Sequence, residues 1–235
     1  MMQNKLLVGV CSLVCWGSVA AGDDGMVLLG DSRNVTMDID TVWFDDNGNL
    51  NDLLSQQNYV PPEDFLPWSF DDSNGNDHVS LSANQNSFAN ATELAASGEA
   101  TGVSSPQDGI DYLSRSGNNH NTFTIRFSIS ELTQFNIYAD LFSSSGVSTS
   151  VVELIGTDGT NYNFGASASN GQELVDAVVA LEAGTYRFTL RSSMSFGGAE
   201  DIHTASFDGG LRVVPSPSGL LVLVGGGLVG MRRRR

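Results

Sequence analysis

The sequence predicts an all-β fold, an antiparallel β-sandwich or jelly-roll-like domain, on three observations. Phe123, Ile125, Phe127 and Ile129 form an unbroken period-two row, with Thr124, Arg126 and Ser128 on the opposite face. The same alternation returns in Phe135, Ile137, Ala139 and Leu141 after a short break. Clusters of Asn, Asp, Gly and Ser separate these runs and supply turn chemistry. Half-polar alternation in many short strands is the pattern of antiparallel sheets with one buried face.

In chain order, Met37, Ile39, Thr41 and Trp43 alternate with Asp38, Asp40 and Val42, and Val79, Leu81 and Ala83 alternate with serines. The break between Ile129 and Phe135 is short enough to predict that these two rows are neighbouring antiparallel strands. Residues 151–155, 162–164, 186–190 and 205–213 read as further strands. Asn90 to Ser97 reads as a helical turn or a loop. Glu173 to Glu182 has helix-compatible apolar spacing, but its β-branched content and the Ala183-Gly184-Thr185 turn favour a strand. The Leu181 to Leu190 segment has the pattern of a hairpin common in secreted β-sandwich domains.

The ends of the chain differ from this body. Lys5, the apolar stretch Leu6 to Trp16 and the small residues Ser18 to Ala21 have the order of a secretory signal peptide. At the other end, Val214-Pro215-Ser216-Pro217 precedes an apolar run, Leu220 to Met231, and then Arg232, Arg233, Arg234 and Arg235. Prolines interrupt the chain, the run partitions toward lipid, and the arginines hold the last end on the cytoplasmic side. A helix over that run reaches ~18 Å at about 1.5 Å per residue, short of a ~30 Å hydrocarbon core. Its four glycines weaken it further. Such a segment fits one that is inserted, read and removed better than a permanent anchor.

This three-part tail resembles the PEP-CTERM sorting signal, which exosortases process. Ser216 stands where the family has its central Glu. The resemblance implies an exosortase-type membrane enzyme as partner and an exported cell-surface or extracellular-matrix destination, with transient inner-membrane association through the short helix. The chain then divides into a signal peptide at 1–21, an acidic β-sandwich domain at 22–213 and a sorting signal at 214–235.

Removing both ends sharpens the charge. The body keeps six arginines against all twenty-seven acids, a net charge of −21. Such a surface repels nucleic acid and anionic lipid and favours divalent cations. Cys11 and Cys15 both fall in the signal peptide, so the body has no disulfide.

No motif for nucleophilic catalysis is present. There is no Gly-x-Ser-x-Gly elbow, and His78, His120 and His203 stand far apart among polar residues, which predicts loop positions. Gly225 to Gly230 matches a dinucleotide fingerprint in letters only, because five residues follow it and no crossover helix fits. Trp43, Trp68, Tyr59 and Phe70 are aromatics of the kind that line sugar clefts. Trp43, however, sits in a strand row, and Tyr59 to Phe70 reads as an irregular loop pinned by its own apolar side chains. Two acidic loops carry the remaining ligand signal: Asp45, Asn47, Asn49 and Asp52, and Asp71, Asp72, Asn74 and Asp77. Both cluster hard oxygen donors of the kind Ca²⁺ takes, without the EF-hand spacing. Their plainer reading is a pair of Asx-rich hairpin tips. The sequence therefore points first to a non-catalytic surface or matrix protein, then to an exopolysaccharide- or Ca²⁺-binding module, and third to an extracellular hydrolase.

Overall fold

The computed structural model describes residues 25–61, 65–105, 110–144, 147–167, 171–197 and 201–215. The signal-peptide segment and the tail from residue 216 onward lie outside them. The described residues form twelve strands: β1 (Val27–Phe44), β2 (Leu50–Tyr59), β3 (Trp68–Gly75), β4 (Val79–Ala89), β5 (Glu93–Ser104), β6 (Asp111–Ile129), β7 (Thr133–Ser143), β8 (Ser148–Gly156), β9 (Asn161–Ser167), β10 (Gln172–Leu181), β11 (Gly184–Gly197) and β12 (Asp201–Val213). They make two six-stranded antiparallel sheets, in the orders β2-β1-β6-β11-β8-β9 (sheet A) and β10-β7-β12-β5-β4-β3 (sheet B).

Strand alternation decides the packing. On β6, Phe123, Ile125, Phe127 and Ile129 are buried and Arg126 is exposed, as period two requires. They join Phe135, Ile137, Leu141, Phe188, Leu190, Phe207 and Leu211 in the larger of two apolar clusters. A smaller cluster, around Val35, Met37, Ile39, Leu81, Met194 and Phe196, fills the other half. Between them β6 keeps its parity but changes chemistry, turning Asn119 and Asn121 inward, both fully buried. Asn119 Nδ2 donates to the Ser82 carbonyl at 2.7 Å and to that of Thr101 at 3.2 Å, and Asn121 Nδ2 donates to the Asn84 carbonyl. Gln85 Nε2 returns a bond from sheet B to the Thr122 carbonyl at 3.3 Å. A polar belt thus ties the sheets together through hydrogen bonds that cross the sandwich. Gly98 makes room for it: a Cβ there would lie 2.7 Å from Phe207 and 2.5 Å from the Asn121 amide.

Two connections differ from the sequence expectation. β6 and β7 are not neighbours. β6 pairs with β1 and β11 in sheet A, while β7 pairs with β10 and β12 in sheet B. The break after Ile129 carries the chain across the core, so two apolar rows face each other, where a hairpin would have set them side by side. The Leu181 to Leu190 segment likewise crosses from β10 in sheet B to β11 in sheet A and is no hairpin. Asn90 to Ser97 is neither helical turn nor loop beyond Thr92. Asn90 Oδ1 accepts the Thr92 and Glu93 N–H groups at 2.8 Å each, closing a turn from which β5 starts.

Side chains lace both open sides of the sandwich. Between β9 and β10, the Gly165 N–H donates to Glu173 Oε2 at 3.1 Å. Between β2 and β3, Ser55 and Asn74 exchange bonds of 3.0 and 3.1 Å, and Tyr59 Oη donates to Asp72 Oδ2 at 2.7 Å. On β1 a buried ion pair, Arg33 to Asp31 at 2.7 Å, holds the chain entering β3, because Arg33 Nη1 also donates to the Leu66 carbonyl at 2.7 Å. Phe65 beside it takes a positive φ of 55° and packs on the larger cluster.

Candidate functional site

Of the predicted acidic loops, Asp45, Asn47 and Asn49 form the β1–β2 hairpin tip and Asp52 lies on β2, whereas Asp71, Asp72 and Asn74 are residues of strand β3 and Asp77 alone of that set falls in the β3–β4 tip. Asp45 Oδ1 accepts the Asn47 N–H at 2.9 Å and the Asn49 N–H at 2.8 Å, and Asp45 Oδ2 accepts Asn49 Nδ2 at 3.0 Å. These bonds, the Asn49 side chain first, hold the carboxyl below its usual range. Gly48 completes the turn at φ +77°, a conformation glycine adopts without strain. On β3 Asp72 serves Tyr59 and Asn74 serves Ser55, and at the β3–β4 tip Asn76 Oδ1 accepts the His78 and Val79 N–H groups at 2.9 Å. Among the described residues no three His, Cys, Asp or Glu side chains come together as a metal-holding group.

Of the three histidines, His78 holds the expected loop position, in the β3–β4 connection, and is buried there, whereas His120 lies on strand β6 and His203, also buried, on strand β12. Trp43 meets His78 in a tilted contact at 4.8 Å, and His78 Nδ1 is 2.9 Å from Tyr112 Oη. Arg115 lies 4.7 Å over the Tyr112 ring, and His203 stacks on Phe196 at 5.6 Å. This is an aromatic plug closing one end of the sandwich. Trp43 therefore packs, as its strand row implies. Trp68 and Phe70 belong to β3 and stack at 5.8 Å, while Tyr59 meets Phe70 at 4.5 Å. The irregular loop expected there is confined to the connection between Tyr59 and Trp68.

The site that pattern reading missed is the outer face of sheet B. Period-two geometry turns Asn84, Glu99, Asp140, Phe142, Gln172 and Asp208 outward from five adjacent strands, around a groove of about 380 Å³. Asp140 lies directly opposite Asp208 and Asn84 opposite Glu99. Gln172 Nε2 donates to Asp140 Oδ1 at 2.7 Å, and Thr101 Oγ1 donates to Glu99 Oε1 at 3.0 Å. A second depression beside it, lined by Trp68, Asn86 and Phe88, shares Ser97 and Asp208. Like charges directly opposite on a strand pair oppose folding, so the Asp140–Asp208 pair is a cost that core packing does not explain. In the sequence each of these acids is a single polar letter in an alternating row. Only the register, which joins residues 68 apart, brings Asp140 and Asp208 together.

Toward Arg212 the same face carries Tyr138. Its hydroxyl donates to Glu93 Oε1 at 2.9 Å, and the Arg212 guanidinium lies 5.2 Å from the ring centre. Desolvation, then the bond to Glu93, pushes the phenol up to about 12.

No protein-family model and no curated protein matches the chain. Among solved structures, it is similar to the enzymatically active domain of bacteriophage CBA120 tailspike protein 4, at 12% identity and a TM-score of 0.30, covering 62% of this chain and 19% of that one. It is also similar to a structure of infectious bursal disease virus, Gx strain, at 15% identity and a TM-score of 0.24, covering 80% of this chain and 56% of that one. The chain thus spans less than two thirds of these structures, and likenesses this distant carry no functional argument.

Proposed function

We propose that this chain is an exported, exosortase-processed cell-surface or extracellular-matrix protein that works without a catalytic step. The observation that carries the reading is the order of the chain: an export signal, a separately cored body, and the tail of Val214, Pro215, Ser216, Pro217 and Arg232 to Arg235. The strand boundaries support it, since β12 ends at Val213, where the tail begins. The body also sets its charge on broad, open sheet faces, which suits binding an extended partner. Replacing Arg232 to Arg235 by serine tests the reading. In the native host the variant should remain unprocessed and collect in membrane or mis-sorted fractions. Normal processing and delivery of the variant would contradict it.

The groove on sheet B favours a second reading, an exopolysaccharide-binding module. Amides of Asn84 and Gln172 and the carboxylates of Glu99 and Asp140, beside the half-exposed Phe142 ring, offer hydroxyl partners around an apolar surface. Retarded migration through a gel containing the host's own exopolysaccharide, lost in Asp140→Ala, is its test.

A further inference from the structure

We propose that copies of this protein stack head-to-tail, the arginine-bearing outer face of sheet A on one copy seating in the acidic groove of sheet B on the next. The inference deepens the surface-or-matrix reading and rests on it for biological purpose, though not for its physics.

The observation behind it is a matched pair of unfavourable features. On sheet A, Arg126 of β6 lies directly opposite Arg187 of β11, both exposed. Arg191 lies on the same face, four residues further along β11. Six arginines remain in a body of net charge −21, and three of them crowd this one face. Arg126 extends over β1, where Gly30 leaves it room: a Cβ there would lie 3.7 Å from its guanidinium. Among the described residues none of the three has a carboxylate within ion-pairing distance. Glu153 of β8, opposite Thr189, receives Asn163 Nδ2 at 3.4 Å. On sheet B, Asp140 and Asp208 are opposed in the same manner.

Directly opposed residues on a strand pair have Cβ atoms ~4.5–5.5 Å apart, so two arginines on one face and two aspartates on the other share one spacing. Each pair weakens its own monomer, and each offers what the other lacks. Guanidinium and carboxylate join in two parallel N–H···O bonds, which adds geometry to attraction. A neutral glycan would account for the groove alone and leave the opposed arginines without a role. A second copy accounts for both faces. Because the two patches lie on opposite faces of one sandwich, the contact is heterologous and does not close into a two-fold dimer. It propagates as a filament or layer.

Salt dependence is distinctive. At ~10 mM salt, screening reaches only beyond ~30 Å, and the net negative bodies repel; at ~150 mM the range is ~8 Å and local pairing wins; at ~1 M even that is screened. Association should therefore peak at intermediate salt.

Sedimentation velocity on the protein recovered from its host tests this, with variants made in the same host. Wild type should grow beyond dimer with concentration near physiological salt. Arg126→Ser/Arg187→Ser and Asp140→Asn/Asp208→Asn should each weaken association at least tenfold while keeping the wild-type melting temperature or exceeding it. The charge-reversed variants Arg126→Asp/Arg187→Asp and Asp140→Arg/Asp208→Arg should each stay monomeric alone and co-assemble when mixed. The milder serine and asparagine variants keep the test open if a reversed variant fails to fold. A wild type monomeric at ~1 mM, or one that stops at a dimer, overturns the proposal. So does a monomer that binds soluble polyuronate through Arg126 and Arg187, which would assign the arginine face to an anionic glycan. A monomeric result leaves export and processing standing, whereas an unprocessed protein that still stacks removes the sorting reading and keeps this one.

Discussion

Truncating Phe127 to alanine probes the core at its most constrained point. The ring is fully buried, stacked on Tyr186 at 5.7 Å and set against Phe135 across the sandwich at 5.9 Å. Returning the lost apolar surface to the transfer scale gives about 1.5–3 kcal/mol. A void of ~100 Å³, at ~24 cal/mol per Å³, adds about 2.4 kcal/mol if nothing collapses into it. Collapse is opposed here, because β6 is held by ladders to β1 and β11 on both sides. The loss should therefore fall in the upper half of the ~3–5 kcal/mol range for such truncations. Urea unfolding reads it as a lower midpoint at unchanged slope. In a domain of this size the melting temperature should drop by ~8–20 °C for ~4–5 kcal/mol. Leu174→Ala, at a position 74% exposed on the edge strand β10, is the control and should stay within ~0.5 kcal/mol. A Phe127→Ala loss below ~1 kcal/mol would refute the packing described for this cluster.

Three further outcomes follow from the structure. Asn119→Leu should cost ~1–3 kcal/mol in the same assay despite being more apolar, because it strips the Ser82 and Thr101 carbonyls of a buried donor; a gain in stability would show the polar belt to be ordinary packing. Tyr138 is raised to about 12 in the fold against an ordinary 10.0, so the unfolded chain loses that proton first, and its contribution to stability is whole below pH 10 and declines as pH rises toward 12. Comparing alkaline unfolding of Tyr138→Phe with wild type isolates that window, and identical curves would contradict it. Because Asp45 commits both carboxylate oxygens to its own turn, Ca²⁺ and Mg²⁺ at equal millimolar concentration should raise the melting temperature equally, by screening alone; a Ca²⁺-selective rise abolished by Asp45→Asn would establish the loop as a metal site.

The strands were legible because burial on one face imposes period two, and Phe123 to Ile129 follows that rule through seven consecutive residues. Which sheet each strand joins was not legible. The short breaks at residues 130–132 and 182–183 look the same whether they turn a hairpin or cross the core, and nothing local decides between them. The hairpin tips were readable from Asp45 and Asn76, since Asx turns are made by residues two to four apart. The groove was hidden for the opposite reason. Asp140, Asp208 and Glu99 become neighbours only through register, and so do Arg126 and Arg187. Polar residues at core parity, Asn119 and Asn121, mark the belt in retrospect: they continue the inward row of Phe123, and only a partner across the sandwich makes their burial tolerable.

The proposed function requires a processed, exported body between two removable signals. The intact mass of the protein recovered from its native host tests it most directly. The expected mass lacks the first ~21 residues, as signal-peptide removal requires, and lacks the apolar run with Arg232 to Arg235, the cut falling near Pro215-Ser216-Pro217. A mass that retains Arg235, in protein found in the inner membrane, would contradict it and leave the tail as a plain anchor.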